Sequence, residues 1–81
     1  MKLIATVHSH FGAMHIKKIL SKYNINSQMA PVPRFLSSSC GTCVIFDYEK
    51  IFPTENIPDD IEKIVKILDN DKYEILYLAE N

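Results

Sequence analysis

The chain has 81 residues, the length of one small domain, and 47% of them are hydrophobic, which supplies a core and excludes intrinsic disorder. Nine lysine and arginine residues against ten aspartate and glutamate residues leave a formal net charge of -1, without the basic excess that nucleic-acid binding requires. No apolar run approaches the roughly 18 to 20 residues that span a bilayer, and the N-terminus is typical of a strand rather than of a signal peptide. We therefore expect a single cytoplasmic domain, residues 1–81, without a nucleic-acid or membrane partner.

The first two predicted elements are a strand and a helix. Residues 3–7 are a short apolar, β-branched run typical of a buried strand. Apolar residues then recur every three to four positions over residues 10–23, which predicts an amphipathic helix that Ser9 caps and Asn24 ends. The residues predicted to form its core-facing stripe are Phe11, Met14, Ile16, Ile19, Leu20 and Tyr23.

Four further elements are predicted in the rest of the chain. Residues 25–32 alternate loosely in hydrophobicity and contain Pro31, which favours a strand at a sheet edge. Residues 43–48 form a third strand after a connection of small and polar residues, and Tyr73–Leu78 forms a fourth. Between these two strands, residues 59–68 have helical spacing and an acidic start, which predicts a second amphipathic helix. Its apolar positions are Ile61, Ile64, Val65 and Leu68.

This order of elements predicts an α+β fold, a ferredoxin-like β-α-β-β-α-β sandwich with a four-stranded antiparallel sheet in the order 4-1-3-2 and two helices on one face. In that sheet the end of the first strand meets the start of the third. The shared edge therefore gathers His8, His10, the connection 33–41, Cys40 and Cys43. The dipole of the second helix accounts for three acidic residues to which no catalytic role is assigned, Asp59, Asp60 and Glu62.

The two cysteines form a C-x-x-C pair, Cys40-Gly41-Thr42-Cys43, a spacing in which the first thiol is often reactive. Gly41 permits a tight turn, and the helix N-terminus together with Arg34 would stabilise a thiolate on Cys40. The alternative is that the cysteines are small buried hydrophobes, and it weighs more for Cys43, which begins a strand.

The neighbouring serines and histidines each have two alternative roles. Ser37, Ser38 and Ser39 offer hydroxyl groups to a bound anion, or they form a flexible exposed turn. His8 and His10 complete the ligand set of a Cys2His2 zinc site with the cysteines, or they have capping and hydrogen-bonding roles. Of these alternatives, we expect a site that holds neither a metal ion nor another cofactor.

Residues 31–41, P-V-P-R-F-L-S-S-S-C-G, resemble the hallmark segment of the selenium/sulfur carrier-like proteins, a family of small domains. Residues 6–14 resemble the start of the family more loosely, so the likeness covers about the first 46 residues. The resemblance implies a carrier, in which a cysteine holds sulfur or selenium as a persulfide or selenopersulfide and hands it to a partner protein. Cys40 matches the family's cysteine before glycine, and Arg34 and Ser37 fall on motif positions, which makes them the candidates for shaping the site.

The expected activity is carrier or sulfurtransferase-like thiol chemistry rather than that of a stand-alone enzyme. Its partners would be a cysteine desulfurase-like donor of sulfur or selenium and an acceptor protein, and the predicted edge strand leaves a homodimer open. Cys43 could resolve the persulfide by forming a disulfide with Cys40 and releasing sulfide or selenide. A zinc-binding or regulatory module, a C-x-x-C dithiol redox protein and a non-catalytic interaction module remain alternatives. Besides the two cysteines, the predicted site contains the substrate-binding residues Arg34, Ser37, Ser38, Ser39, Gly41, His8 and His10.

Overall fold

A computed structural model describes residues 1–38, 40–48, 57–69 and 71–79. In chain order the described elements are strand β1 (Lys2–Val7), helix α1 (His10–Lys22) and strands β2 (Ser27–Pro31), β3 (Thr42–Asp47), β4 (Ile61–Ile67) and β5 (Tyr73–Leu78). The strands form an antiparallel sheet in the order β2-β3-β1-β4-β5. Within these described ranges, no helix is long and apolar enough to cross a membrane.

The α+β class and the antiparallel sheet are confirmed, but the described residues form five strands where four were predicted. The prediction of a second helix at residues 59–68 is wrong, because this segment forms β4 between β1 and β5. The predicted neighbours β2, β3 and β1 do lie side by side in that order. The ferredoxin-like arrangement with two helices on one face is therefore not confirmed.

A β-bulge in β4 explains why this strand has the spacing of a helix. Ile61 lies opposite Val7 and Lys63 lies opposite Thr6, so Glu62 is an extra residue on the β4 side of the pair. Side chains three positions apart point to opposite faces of a regular strand. The extra residue therefore brings position 64 back to the face that position 61 occupies.

The bulge places the apolar residues of β4 in two separate cores. Ile61 and Ile64 are buried on the helix side of the sheet, and Val65 is buried on the opposite face. Four of the seven residues of β4 are β-branched, so its intrinsic preference also favours a strand. Residues 61, 64 and 65 have the spacing of one helix face, but in β4 they are buried on the two opposite faces of the sheet.

Helix α1 has the predicted position and start. The backbone N–H of Gly12 donates to the Ser9 side-chain oxygen at 3.2 Å, which is the expected N-cap bond. After the helix, Asn24 adopts a left-handed φ of 61°. A Cβ atom at Gly12 would lie 3.0 Å from Cβ of Asp60 and 3.3 Å from Cβ of Val7, so glycine allows the first turn to approach the sheet closely.

The face that α1 buries differs from the predicted stripe. The helix packs on β1, β2 and β3 through Gly12, Ala13, Ile16 and Leu20. Ile19 is half-buried, whereas three predicted core residues are exposed, namely Phe11 at 81%, Met14 at 52% and Tyr23 at 72%.

The opposite face of the sheet is covered by the connection between β2 and β3. Leu36 in this connection is 6% exposed and joins a cluster with Ile4, Cys43 and Val65. The ring of Phe35, one residue earlier, lies 5.8 Å from the ring of Tyr73 at the start of β5. This face therefore has a core of its own, to which the connection contributes Leu36 and β3 contributes Cys43.

Candidate functional site

The segment between β2 and β3, residues 32–41, is here called the motif loop. Its base is closed by the N–H of Val32, which donates to the carbonyl oxygen of Gly41 at 3.0 Å. A tight turn follows, in which the N–H of Leu36 bonds to the carbonyl oxygen of Pro33 at 3.0 Å. The Ser38 hydroxyl then donates to the main-chain carbonyl of Val7 at 3.3 Å. These bonds hold the loop against the end of β1, at the sheet edge that the sequence predicted for the site.

Gly41 is needed for its backbone conformation. Its φ is +76°, in the left-handed region, while a Cβ atom placed on it would meet nothing within 4 Å. The reversal at Gly41 turns the motif loop into β3, which begins two residues after Cys40.

Cys40 is partly exposed and packs against the core on the helix side of the sheet. Its Sγ accepts a hydrogen bond from the backbone N–H of Thr42 at 3.4 Å, and its thiol can donate to the Thr42 carbonyl oxygen at the same distance. An N–H that points at sulfur stabilises negative charge there. Cys40 thus combines access from solvent with a hydrogen-bond donor for a thiolate.

Cys43 has a different environment. It is fully buried in the cluster on the opposite face of the sheet, and its thiol donates to the carbonyl oxygen of Pro31 at an S···O distance of 3.8 Å. Loss of water around the buried thiol, and then the charge of Cys40, raise the pKa of Cys43. Both cysteines are free thiols. At neutral pH Cys43 therefore remains a protonated, enclosed thiol.

The predicted histidines do not join the cysteines. His10 is the exposed first residue of α1, and the exposed His8 has Nδ1 4.0 Å from the Glu62 carboxylate. Across the described segments, no group of three or more His, Cys, Asp and Glu side chains is arranged to hold a metal ion. The structure thus does not assemble the Cys2His2 set.

The remaining predicted residues have varied positions. Arg34 lies at the exposed tip of the turn in the motif loop, and it forms no ion pair with any residue that the structure describes. Ser37 is exposed and Ser38 is half-buried, while Ser39 lies outside the described residues. The hydrogen bonds that the structure shows at the Cys40 sulfur are with the backbone of Thr42, the first residue of β3.

Sequence reasoning missed a polar group beside the motif loop. Thr6 is fully buried, and its hydroxyl donates to Oε1 of Glu62 at 3.2 Å. Glu62 and Lys63 line a shallow depression of about 310 Å³ together with Ser37 and Ser38. The assignment of residues 59–68 to a helix hid this arrangement. The available signal was a lone threonine in the apolar run of residues 3–7, since a buried hydroxyl requires a partner.

Comparison with known protein families gives a match that spans nearly the whole chain. Residues 2–80 match a family whose description is "Putative Se/S carrier protein-like". The match confirms the resemblance found in residues 31–41 and extends it through β4 and β5. No curated protein and no solved structure matches the chain.

Proposed function

The chain belongs to the Se/S carrier protein-like family, and we propose that Cys40 carries sulfur or selenium between a donor protein and an acceptor protein. The contrast between the two cysteines supports this role most strongly. Cys40 is partly exposed and accepts an N–H bond, whereas Cys43 is fully buried with a raised pKa. Since the thiolate is the nucleophile, Cys40 is the thiol that a donor can reach and that can react.

In the loading step, the Cys40 thiolate attacks the terminal sulfur of a persulfide on the donor. A bond forms between Cys40 Sγ and that sulfur, the S–S bond of the donor breaks, and the donor sulfur leaves with the electron pair as a thiolate. The transferred sulfur keeps its oxidation state, so the step consumes neither oxidant nor reductant. Selenium follows the same course as a selenopersulfide.

In the unloading step, a thiolate of the acceptor attacks the outer sulfur of the Cys40 persulfide. The S–S bond breaks and Cys40 is released as a thiolate, ready for another cycle. The N–H of Thr42, 3.4 Å from Cys40 Sγ, can stabilise the charge that returns to this sulfur. This donor follows directly after Gly41, whose carbonyl oxygen accepts the Val32 N–H bond that closes the base of the motif loop.

Cys43 has a packing role in this proposal. Attack of Cys43 on Cys40 Sγ would form a disulfide and expel hydrosulfide, with the two thiols supplying the two electrons that reduce the carried sulfur. That route requires Cys43 to lose its proton while buried with Ile4 and Leu36, and its raised pKa opposes this at neutral pH. We therefore assign the carrying function to Cys40 alone.

The test is intact-mass measurement after incubation with a cysteine desulfurase and cysteine, with selenocysteine replacing cysteine in a parallel reaction. The wild type and Cys43→Ala are expected to gain the mass of one sulfur atom, reversibly on reduction, and Cys40→Ser is expected to gain none. Retention of the adduct by Cys40→Ser, or its loss in a folded Cys43→Ala protein, would refute the assignment.

A further inference from the structure

The charges of this chain are segregated along the sequence. None of its ten aspartate and glutamate residues precedes Asp47, whereas residues 1–46 contain four lysines and Arg34. Residues 47–81 contain the ten acidic residues and the other four lysines. The formal charges are thus +5 for residues 1–46 and -6 for residues 47–81, which together give the -1 of the whole chain. The net charge therefore conceals a basic first half.

Helix α1 presents much of this basic charge. It contains three lysines, two histidines and no acidic residue. Positions 11, 14, 18 and 22 follow one another at steps of three and four residues, so their side chains share one side of the helix. This side lies opposite the buried residues Ala13, Ile16 and Leu20. We call these four exposed residues the α1 row, and they are Phe11, Met14, Lys18 and Lys22.

The first half of the α1 row is apolar. Phe11 is 81% exposed and Met14 is 52% exposed, so the described fold leaves much of two large apolar side chains in water. Aromatic residues and methionine are enriched in protein interfaces, where burying them stabilises the complex. A basic second half supplies charge that attracts an acidic surface.

The apolar half of the row lies at the edge that carries Cys40. Helix α1 starts directly after its Ser9 cap at the end of β1, and β1 pairs antiparallel with β3, which begins two residues after Cys40. Cys40 also packs against the core cluster that contains Val7 and Ala13. A protein bound over Phe11 would therefore lie at the end of the sheet that carries Cys40.

We propose that the α1 row is the docking surface for the donor protein, whose matching surface has an apolar pocket for Phe11 and Met14 and acidic residues facing Lys18 and Lys22. This inference rests on the proposed function. Docking holds the donor persulfide near Cys40 and raises the rate of transfer, while the chemistry at sulfur is unchanged. RNA is disfavoured as the occupant because the row contains only two lysines and the whole chain has a formal net charge of -1.

The experiment compares two sulfur donors. Loading of Cys40 is followed by intact mass with an acidic cysteine desulfurase as the protein donor and with glutathione persulfide as the small donor. We expect F11S/M14S and K18E/K22E each to load about tenfold or more slowly from the desulfurase. Both variants should load at the wild-type rate from glutathione persulfide, which requires no docking. Tyr23→Ser is the matched control, because Tyr23 is 72% exposed but lies outside the row.

Electrostatic attraction adds a second readout. Raising the salt concentration from about 0.05 M to about 0.5 M shortens the range of interaction between charges, so wild-type loading from the desulfurase should slow. K18E/K22E should lose most of this salt dependence. Loading from glutathione persulfide should stay nearly constant in both proteins.

Each result bears on the proposal. Loading of F11S/M14S from the desulfurase at the wild-type rate would overturn the proposal. It would also be overturned if added total tRNA slowed loading of the wild type but not of F11S/M14S, because the α1 row would then bind RNA. A wild type that loads from glutathione persulfide but not from the desulfurase would refute donor docking and leave Cys40 as a carrier. Failure of the wild type to load from either donor would refute the proposed function itself.

Discussion

Substitution of Leu36 by alanine tests whether the motif loop is held by its own core. The side chain is 6% exposed and packs with Ile4, Cys43 and Val65. Replacing this buried leucine by alanine removes apolar surface from the core and leaves a cavity. We therefore expect the free energy of unfolding to fall by about 2 to 4 kcal/mol. For a chain of 81 residues, whose total stability is on the order of 4 to 12 kcal/mol, that loss is large.

The same substitution should make Cys43 more accessible, because Leu36 and Cys43 are buried in the same cluster. In a Cys40→Ser background only Cys43 can be alkylated, and its labelling rate reports opening of the loop. If opening becomes easier by about 2 to 3 kcal/mol, labelling should accelerate about 30- to 150-fold. Urea unfolding and timed iodoacetamide labelling supply the two measurements.

A matched control separates the anchoring of the loop from the general effect of leucine loss. Leu78 is 59% exposed, so Leu78→Ala should change the free energy of unfolding by less than about 1 kcal/mol and leave Cys43 labelling unchanged. The reasoning is refuted by a Leu36→Ala protein that unfolds at the wild-type urea midpoint, or by one that is destabilised with Cys43 still protected.

Three further expectations follow from local features. Gly41→Ala, which forces a side chain into a φ of +76°, should lower the free energy of unfolding by about 1 to 2 kcal/mol, and an unchanged urea midpoint would contradict this. Because the folded-state pKa of Cys43 is raised above its ordinary value of 9.0, its contribution to stability is complete below that pH and is lost as pH rises through the folded-state value. Above pH 9, the free energy of unfolding measured with urea should therefore fall more steeply for the wild type than for Cys43→Ala. Parallel curves of this free energy against pH would disprove the burial argument. Ser9→Ala should lower stability by about 1 kcal/mol through loss of the helix cap, whereas the exposed Ser21→Ala control should cost less; equal effects in thermal unfolding would count against the cap.

The sequence predicted the site edge better than it predicted the sheet. The segments of β1, α1, β2, β3 and β5 were all located correctly, because their hydrophobic periods match their structures. Residues 61–67 were assigned to a helix because the bulge at Glu62 gives a strand the spacing of a helix. A bulge is created by pairing with a distant strand, so periodicity within the segment could not reveal it.

The helix shows a second limit of periodicity. Both the predicted and the observed faces of α1 have helical spacing, but the sheet is contacted by Gly12 and Ala13 rather than by Phe11 and Met14. Close approach to Asp60 and Val7 selects small residues in the first turn. Hydrophobicity alone favoured the larger side chains, and only the tertiary contact decides between the two faces.

For the site, the sequence correctly brought the cysteines to the end of β1. It did not reveal that Cys40 packs with the helix-side core while Cys43 belongs to the core on the other face. It also missed Thr6 and Glu62, whose hydrogen bond depends on the position of β4. Residues in the motif loop were identified by their pattern, whereas their partners on other strands required the fold.

The central place of β1 in the sheet has a consequence for how the chain folds. Thr6 pairs with Cys43 on one side and with Lys63 on the other, so the contacts of β1 join distant parts of the sequence. Such contacts close late, because the entropy of long loops is lost before the pairing stabilises them. Until β4 arrives, one edge of an apolar strand is open to other chains. Strand β1 is therefore protected from pairing with another chain only after β4 has paired with it.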